Sequence, residues 1–401
     1  DLSPGWIYDE AVETIKCGFG MPMLMNDDMW IPNLAALGYT EELARDYYNM
    51  GCVEMLVQNK GAGWYYSPGG KMYVNYAMLL QEVLDSVRRG ERTFDSFDVF
   101  YQEVLRKIRD EIRSFRVRPG TKYIQNYGCD PWGSVFMDGC LESGKDMFQG
   151  GTELPAHLPI SGLGLGTTVD SLAAIKTLVF DQKYITLDRL IEAAANNFRG
   201  EEPLRQYILN KVPHFGNDIG WVDGMAAELF KVYTTEVFTL NDGTIPEKYI
   251  SSFFSYTTHV SLGEITPATC DGRLKGAPLS DNIGPSQGRD TEGPTKLINS
   301  MLAYDYRYLN GANAANIKVS PNLFITEGGT RALKNLLLTY LREGGPQIQV
   351  NFVKREDLLD AQINPMKHRD IVVRIAGFCE YFIFLDAKQQ NEIISRTEHE
   401  A

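Results

Sequence analysis

In the stretch "FYQEVLRKIRDEIRSF" the apolar residues Tyr101, Val104, Leu105, Ile108, Ile112 and Phe115 recur at helical spacing, while Arg106, Lys107, Arg109 and Arg113 fall on other faces. This pattern predicts an amphipathic helix whose basic run is a solvated face. Comparable periodicity predicts helices over 40–48, 74–89, 170–180, 187–196, 220–237, 329–343 and 389–396. Runs of β-branched and aromatic residues at 348–353, 371–376 and 381–385 predict strands. Strands separated by helices imply an α/β architecture with largely parallel strands. Two Gly/Pro-rich passages, 150–168 and 272–295, break the periodicity and are expected to be irregular loops of the kind that line a site.

Composition narrows the class. With 401 residues, 44% of them hydrophobic, the chain can bury a large core. Its formal charge of -13 disfavours a nucleic-acid partner or an anionic membrane surface, because both would be repelled. No apolar run approaches the ~18 residues of a membrane span. Six cysteines (Cys17, Cys52, Cys129, Cys140, Cys270, Cys379) contain no CxxC pair, and the five histidines form no close set with them. A metal site or a disulfide scaffold is therefore not expected, and a reducing compartment such as the cytoplasm is. The opening "DLSPGWIYDE" resembles neither a signal peptide nor a natural start with Met, so the chain is expected to be a fragment.

Three motifs invite a function and lack the context for it. "GPSQG" at 284–288 fits G-x-S-x-G, but Pro285 precedes Ser286 and "RDTEGPT" follows, where a strand and a helix would be needed. "GLGLGTT" at 162–168 has neither the Gly-Lys-Ser/Thr ending of a phosphate loop nor the dinucleotide spacing, and reads as a tight loop before a helix near Asp170. His259, alone among β-branched residues, reads as a hydrogen-bonded core histidine.

Two other positions carry more chemistry. In "YYNMGCVEMLVQNKG" Cys52 and Glu54 lie two residues apart, which in an extended segment puts both side chains on one face. A carboxylate beside a thiol disfavours the thiolate, so the pair makes a poor nucleophile. From these residues alone, a buried structural cysteine with a locally capping glutamate is an equal reading. At the far end, Gly377 interrupts a β-type run just before a cluster of aromatics, where a strand glycine marks a bulge or close backbone approach. Glycine is also the residue whose bare α-carbon holds a planar radical stabilised by both neighbouring amides. A cysteine S–H has a bond strength close to that of such a Cα–H, so hydrogen passes between them at little cost.

At these residues the sequence resembles the glycyl radical enzymes, the pyruvate formate-lyase-like superfamily. Arg374, Ile375, Ala376, Gly377, Phe378 and Phe382 resemble its R-V-x-G-Y-x-x-x-F ending, and "GCVE" resembles the thiyl-cysteine motif of its eliminating members. "SGKDMFQGG", "NDIGWVDGMA", "THVSLGEITPATCDGR", "PSQGRD" and "IISRTE" extend the likeness over nearly the whole chain. Phe378 departs from the usual tyrosine, Cys379 from the common serine and Cys270 from a frequent proline.

The resemblance implies a ten-stranded α/β barrel in which Cys and Gly loops meet, with this chain as the C-terminal part. It divides the chain into barrel residues 1–279 and a glycyl radical domain, 280–401. Family chains are roughly twice as long, so the N-terminal half is expected in the same or a separate polypeptide. By the same resemblance a radical S-adenosylmethionine activating enzyme, which carries the iron–sulfur cluster, takes hydrogen from Gly377. The glycyl radical is then protein-derived, and this chain needs no dissociable cofactor. Gly377 oxidises Cys52 to a thiyl that abstracts hydrogen from a small-molecule substrate, and Glu54, its pKa raised by an apolar pocket, takes a proton. A homodimer in the cytoplasm of an anaerobic microbe is expected, with a bacterial microcompartment as a further setting.

Glu54 points to lyases cleaving C–O, C–N or C–S bonds, dehydratase-like, with arylacetate decarboxylation or a non-catalytic radical-bearing subunit as alternatives. "GWYY" stands where diol dehydratases resemble "GWHD", and no histidine accompanies Asp85 as in hydroxyphenylacetate decarboxylases. Tyr65 and Tyr66 either face the substrate or pack in the core.

Overall fold

Ten strands occur among the residues described by the computed structural model, which are 5–57, 60–61, 72–116, 128–324 and 326–399. They are β1 (Leu24–Met25), β2 (Tyr47–Met50), β3 (Glu54–Val57), β4 (Met72–Asn75), β5 (His157–Leu163), β6 (Lys248–Ser252), β7 (Asn316–Val319), β8 (Gln347–Phe352), β9 (Val372–Arg374) and β10 (Cys379–Tyr381). β4, β5 and β6 are parallel neighbours, as are β7 and β8, and β1 adds antiparallel to β8. The edge of β6 continues onto the segment entering β7. Gly311 N donates to Ser251 O at 2.9 Å, Phe253 N donates to Ala312 O at 2.8 Å, and Phe253 bridges Asn313 in parallel. Both sheets thereby follow one another as β4-β5-β6-β7-β8-β1. The expected α/β class is what the backbone adopts, with the central β4–β5–β6 and β7–β8 pairings parallel and the β1–β8, β2–β3 and β9–β10 pairings antiparallel.

Helices cover this run of strands. The helix Gly220–Thr239 lies on β5 and β6, where Tyr233 Oη donates to the carbonyls of Ile160 and Ser252 and Phe230 stacks on Phe253 at 4.7 Å. The helix Phe97–Ser114 packs outside it and buries Phe100, Tyr101, Val104, Leu105, Ile108 and Ile112, the stripe its period predicts. Its basic face is solvated and paired, Lys107 with Glu82 at 3.0 Å and Arg113 with Glu236 at 2.6 Å. Exposed pairs of this kind add little, so the apolar stripe sets the helix's place.

The main core draws residues from Val12 to Val350. A second cluster gathers Val353, Leu358, Val373, Ile375, Phe382 and Ile393 around the helix Ala387–Ser395. Among the described residues no helix is long and apolar enough to cross a membrane.

Four expectations need correction. The predicted helix 40–48 stops at Arg45, because Tyr47 and Tyr48 pair with Val57 and Leu56 across β2 and β3, and cross-strand pairing overrides the local period. The segment 381–385 is a strand end followed by a 3₁₀ turn, Phe382–Phe384, with Phe382 buried and Phe384 exposed. The passage 150–168 is not an irregular loop. It contains β5, every residue of which is buried, so no alternation marks it. Pro159 falls one residue before β4 begins to pair at Ile160, where the missing N–H is tolerated. The helix expected near Asp170 begins at Leu165, directly after Gly164.

Gly162 lies at the centre of this arrangement. A β-carbon there would sit 2.8 Å from a Phe253 ring carbon and 2.9 Å from one of Tyr76. Both rings therefore press directly on the β5 backbone. Gly162→Val is expected to lower stability by about 1–3 kcal/mol, the usual cost of overpacking. Urea denaturation measures it, and an unchanged midpoint would contradict this packing.

Candidate active site

The cysteine sits at a hairpin tip. β2 and β3 pair in register from Tyr47↔Val57 to Met50↔Glu54, which leaves Gly51, Cys52 and Val53 as the turn. Gly51 has φ +65°, a left-handed value that glycine adopts without strain. Cys52 is therefore not in an extended segment, and strand alternation is not what brings Glu54 to it. Instead the carboxylate folds back over the turn. Glu54 Oε2 accepts from Cys52 N at 3.0 Å and from Val53 N at 2.9 Å. The thiol is half-buried, and burial pushes its pKa up, the Glu54 charge pushes it further, and Arg374 pulls it partly back.

The glycine sits at a second hairpin tip. β9 and β10 pair as Arg374↔Cys379, and Ile375 N donates to Phe378 O at 3.0 Å, leaving Ala376 and Gly377 at the apex. Gly377 has φ +87°, so it occupies a turn and not the strand bulge that the sequence pattern suggested. The two apices touch. A β-carbon at position 377 would lie 2.3 Å from Cys52 Cβ and 3.1 Å from Cys52 Cα, so no residue but glycine fits without displacing one hairpin. Ala376 and Val53 are fully buried beside this contact with Phe254, Ala312 and Ala314, and Met23 packs against them. The expected meeting of the Cys52 and Gly377 loops is thus observed.

Polar residues of the barrel strands hold the glycine hairpin. Asn351 bonds both backbone groups of Arg374, each at 2.7 Å, and Gln349 Oε1 accepts from Arg374 Nε at 2.8 Å. The buried guanidinium otherwise meets sulfur, in Met21, Met23 and Cys379. The Ile375 carbonyl accepts from Asn316 Nδ2 at 3.1 Å and Arg396 Nη1 at 3.2 Å. Sequence reading assigned no site role to these groups. A signal was present: Gln347, Gln349 and Asn351 recur at every second position of β8, all buried, opposite the apolar Ile348 and Val350.

Phe378 stacks on Tyr256 at 4.9 Å and Phe382 is buried, but Tyr381 points outward, 46% exposed. His259 is a buried, hydrogen-bonded residue, 2.9 Å from Ser255 Oγ, on the helix Thr258–Ile265. Ser286 donates to Thr167 Oγ1 at 3.3 Å and lies in an irregular segment, without the strand and helix of a nucleophile elbow. Tyr65 and Tyr66 lie outside the described residues. Among the described residues no group of three or more His, Cys, Asp or Glu could hold a metal ion.

Comparison with known proteins agrees with this geometry. Residues 2–263 match the family model for pyruvate formate lyase-like proteins, and residues 279–383 match the model for the glycine radical. The isethionate sulfite-lyase of Oleidesulfovibrio alaskensis is 32% identical, over 100% of this chain and 50% of that protein. The trans-4-hydroxy-L-proline dehydratase of Clostridioides difficile is 32% identical, over 99% and 51%. The glycerol-bound B12-independent glycerol dehydratase of Clostridium butyricum has a similar structure, with a TM-score of 0.89 at 31% identity, covering 100% of this chain and 52% of that one. This chain spans about half the length of the curated relatives it matches. With a family model covering most of its length and the Cys52 and Gly377 apices in contact, the chain belongs to the pyruvate formate lyase-like family of glycyl radical enzymes.

Proposed function

We propose that the protein is a glycyl radical lyase that eliminates a leaving group from a small organic substrate. The observation that carries this reading is the contact between Gly377 and Cys52, because hydrogen transfer requires reacting atoms within about 3–4 Å. The upward shift of the Cys52 pKa supports it too. A nucleophilic cysteine needs the thiolate, whereas hydrogen exchange needs an intact S–H.

In the proposed cycle a radical S-adenosylmethionine activating enzyme removes one hydrogen atom from the Gly377 α-carbon. The glycyl radical takes the Cys52 S–H hydrogen and leaves a thiyl. The thiyl takes hydrogen from a substrate carbon. Glu54 accepts a proton from the adjoining group, and the leaving group departs with its bonding electrons. The product radical regains hydrogen from Cys52, and the thiyl recovers its own from Gly377. Glu54 is suited to the base role because two backbone N–H groups orient its carboxylate beside the thiol. The named activities of the similar proteins, a sulfite-lyase and dehydratases, favour elimination over decarboxylation.

We further propose a division at residue 280, a further half supplying the rest of the barrel, a homodimer, and residence in an anaerobe's cytoplasm or microcompartment.

Anaerobic activation of the complete enzyme should give an electron paramagnetic resonance doublet that collapses to a singlet when the Gly377 α-hydrogens are deuterium. Gly377→Ala should give no signal, and an unchanged doublet in that variant sinks the assignment. The two side chains should separate by step. Cys52→Ser should keep the radical and lose turnover, because a hydroxyl O–H is too strong to exchange hydrogen. Glu54→Gln should keep the radical and lose roughly 10²–10⁴-fold in kcat. Normal turnover in Glu54→Gln would remove the base role and favour chemistry without proton abstraction.

A further inference from the structure

Next to the base of the glycine hairpin lies a buried cluster of charge. Arg396 Nη2 is 2.9 Å from Glu392 Oε2 and 3.4 Å from Asp281 Oδ2, and the arginine side chain is only 10% exposed. His259 joins the same two carboxylates, with Nε2 3.3 Å from Glu392 and Nδ1 3.7 Å from Asp281. Ser255 Oγ lies 2.9 Å from both His259 Nδ1 and Asp281 Oδ1, and Gln287 Nε2 donates to Glu392 at 3.2 Å. Asn316 Nδ2 donates to Asp281. Burial opposes each charge, yet the carboxylates keep the His259 pKa above its usual value, and Arg396 and His259 hold Glu392 below the carboxylate range.

The cluster is not a second substrate site. The cavity it lines, with Lys318 and Thr397, is about 40 Å³ and has room for a water or two. A pair of hydrogen bonds runs from the cluster to the glycine hairpin. Arg396 Nη1 and Asn316 Nδ2 converge on the Ile375 carbonyl, two residues before Gly377. Both donors are themselves tethered to Asp281. One carboxylate in the irregular passage 272–295 is thereby tied through two side chains to the base of the turn that presents Gly377.

We infer that Arg396 is a positioning residue for radical transfer: anchored by Asp281 and Glu392, it and Asn316 fix the Ile375 carbonyl and so set the distance between the Gly377 α-carbon and Cys52. The inference rests on the lyase reading above and adds to it a group that touches neither substrate nor the reacting atoms. Its physical basis is the steepness of hydrogen transfer with distance, since a misplacement of about 1 Å can cost 10²-fold. Lysine at 396 keeps the positive charge but loses the planar fork that reaches Glu392 and Ile375 O together.

The experiment uses the complete enzyme, activated anaerobically and moved into D2O. The Cys52 S–H exchanges with solvent, so deuterium reaches the Gly377 α-carbon through the thiol and the glycyl doublet collapses to a singlet. In Arg396→Lys the amount of radical, KM and the thermal unfolding midpoint should stay near wild type, while the rate of collapse and kcat fall together by roughly 10–100-fold. Asn316→Ala, which removes the other donor, should slow the collapse in the same way and serves if Arg396→Lys does not fold. Collapse at the wild-type rate in both variants overturns the inference, as does loss of the radical itself in a folded variant. A wild-type enzyme with no glycyl doublet overturns the lyase reading, and this inference with it.

Discussion

Two hairpin apices from opposite ends of the chain share a space too small for one extra carbon atom. A β-carbon on Gly377 would be 2.3 Å from that of Cys52, and the backbone at 377 has φ +87°. Both facts demand glycine, one for room and one for conformation. The cost of such an arrangement is that turns, which normally meet water, must be satisfied from within. The Cys52 turn is satisfied by Glu54, whose carboxylate takes the N–H groups of Cys52 and Val53. The Gly377 turn is satisfied by Asn351, Asn316 and Arg396.

The rest of the fold can be understood as support for that contact. β7 and β8 present apolar residues to the core on one face and Gln347, Gln349, Asn351 and Asn316 on the other, so a buried strand surface is polar where it meets the glycine hairpin. β3 is joined to the same scaffold through the Glu54–Ala312 bridge. The cysteine and glycine turns are therefore referenced to one rigid run of strands, which is how a near-contact is held to fractions of an ångström. Two catalytic candidates on independent loops would not keep that precision.

Much of this was legible in the residues, and the misses have physical causes. The amphipathic helices are visible because one face meets water, as in Phe97–Ser114. Cys52, Glu54 and Gly377 stood out through residue chemistry and the resemblance of their motifs. The route by which Glu54 reaches Cys52 did not, because a three-residue turn and a strand place the same two residues quite differently. β5 was illegible because burial on both faces erases the period and its Pro and glycines imitate a loop. The polar face of β8 has a period of two, yet its partners lie in Arg374, Asn316 and Met23, far along the chain, and no local pattern announces them. Tyr381 points outward because β9 and β10 pair up to that residue and the chain turns inward at Phe382.

The central claim is that Gly377 and Cys52 exchange hydrogen directly. Deuterium uptake at the Gly377 α-carbon of the activated enzyme in D2O tests it with Cys52→Ala as the comparison. The account predicts a doublet that collapses to a singlet in wild type and persists in Cys52→Ala, which lacks the exchangeable S–H. Collapse at equal rates in both proteins would contradict it.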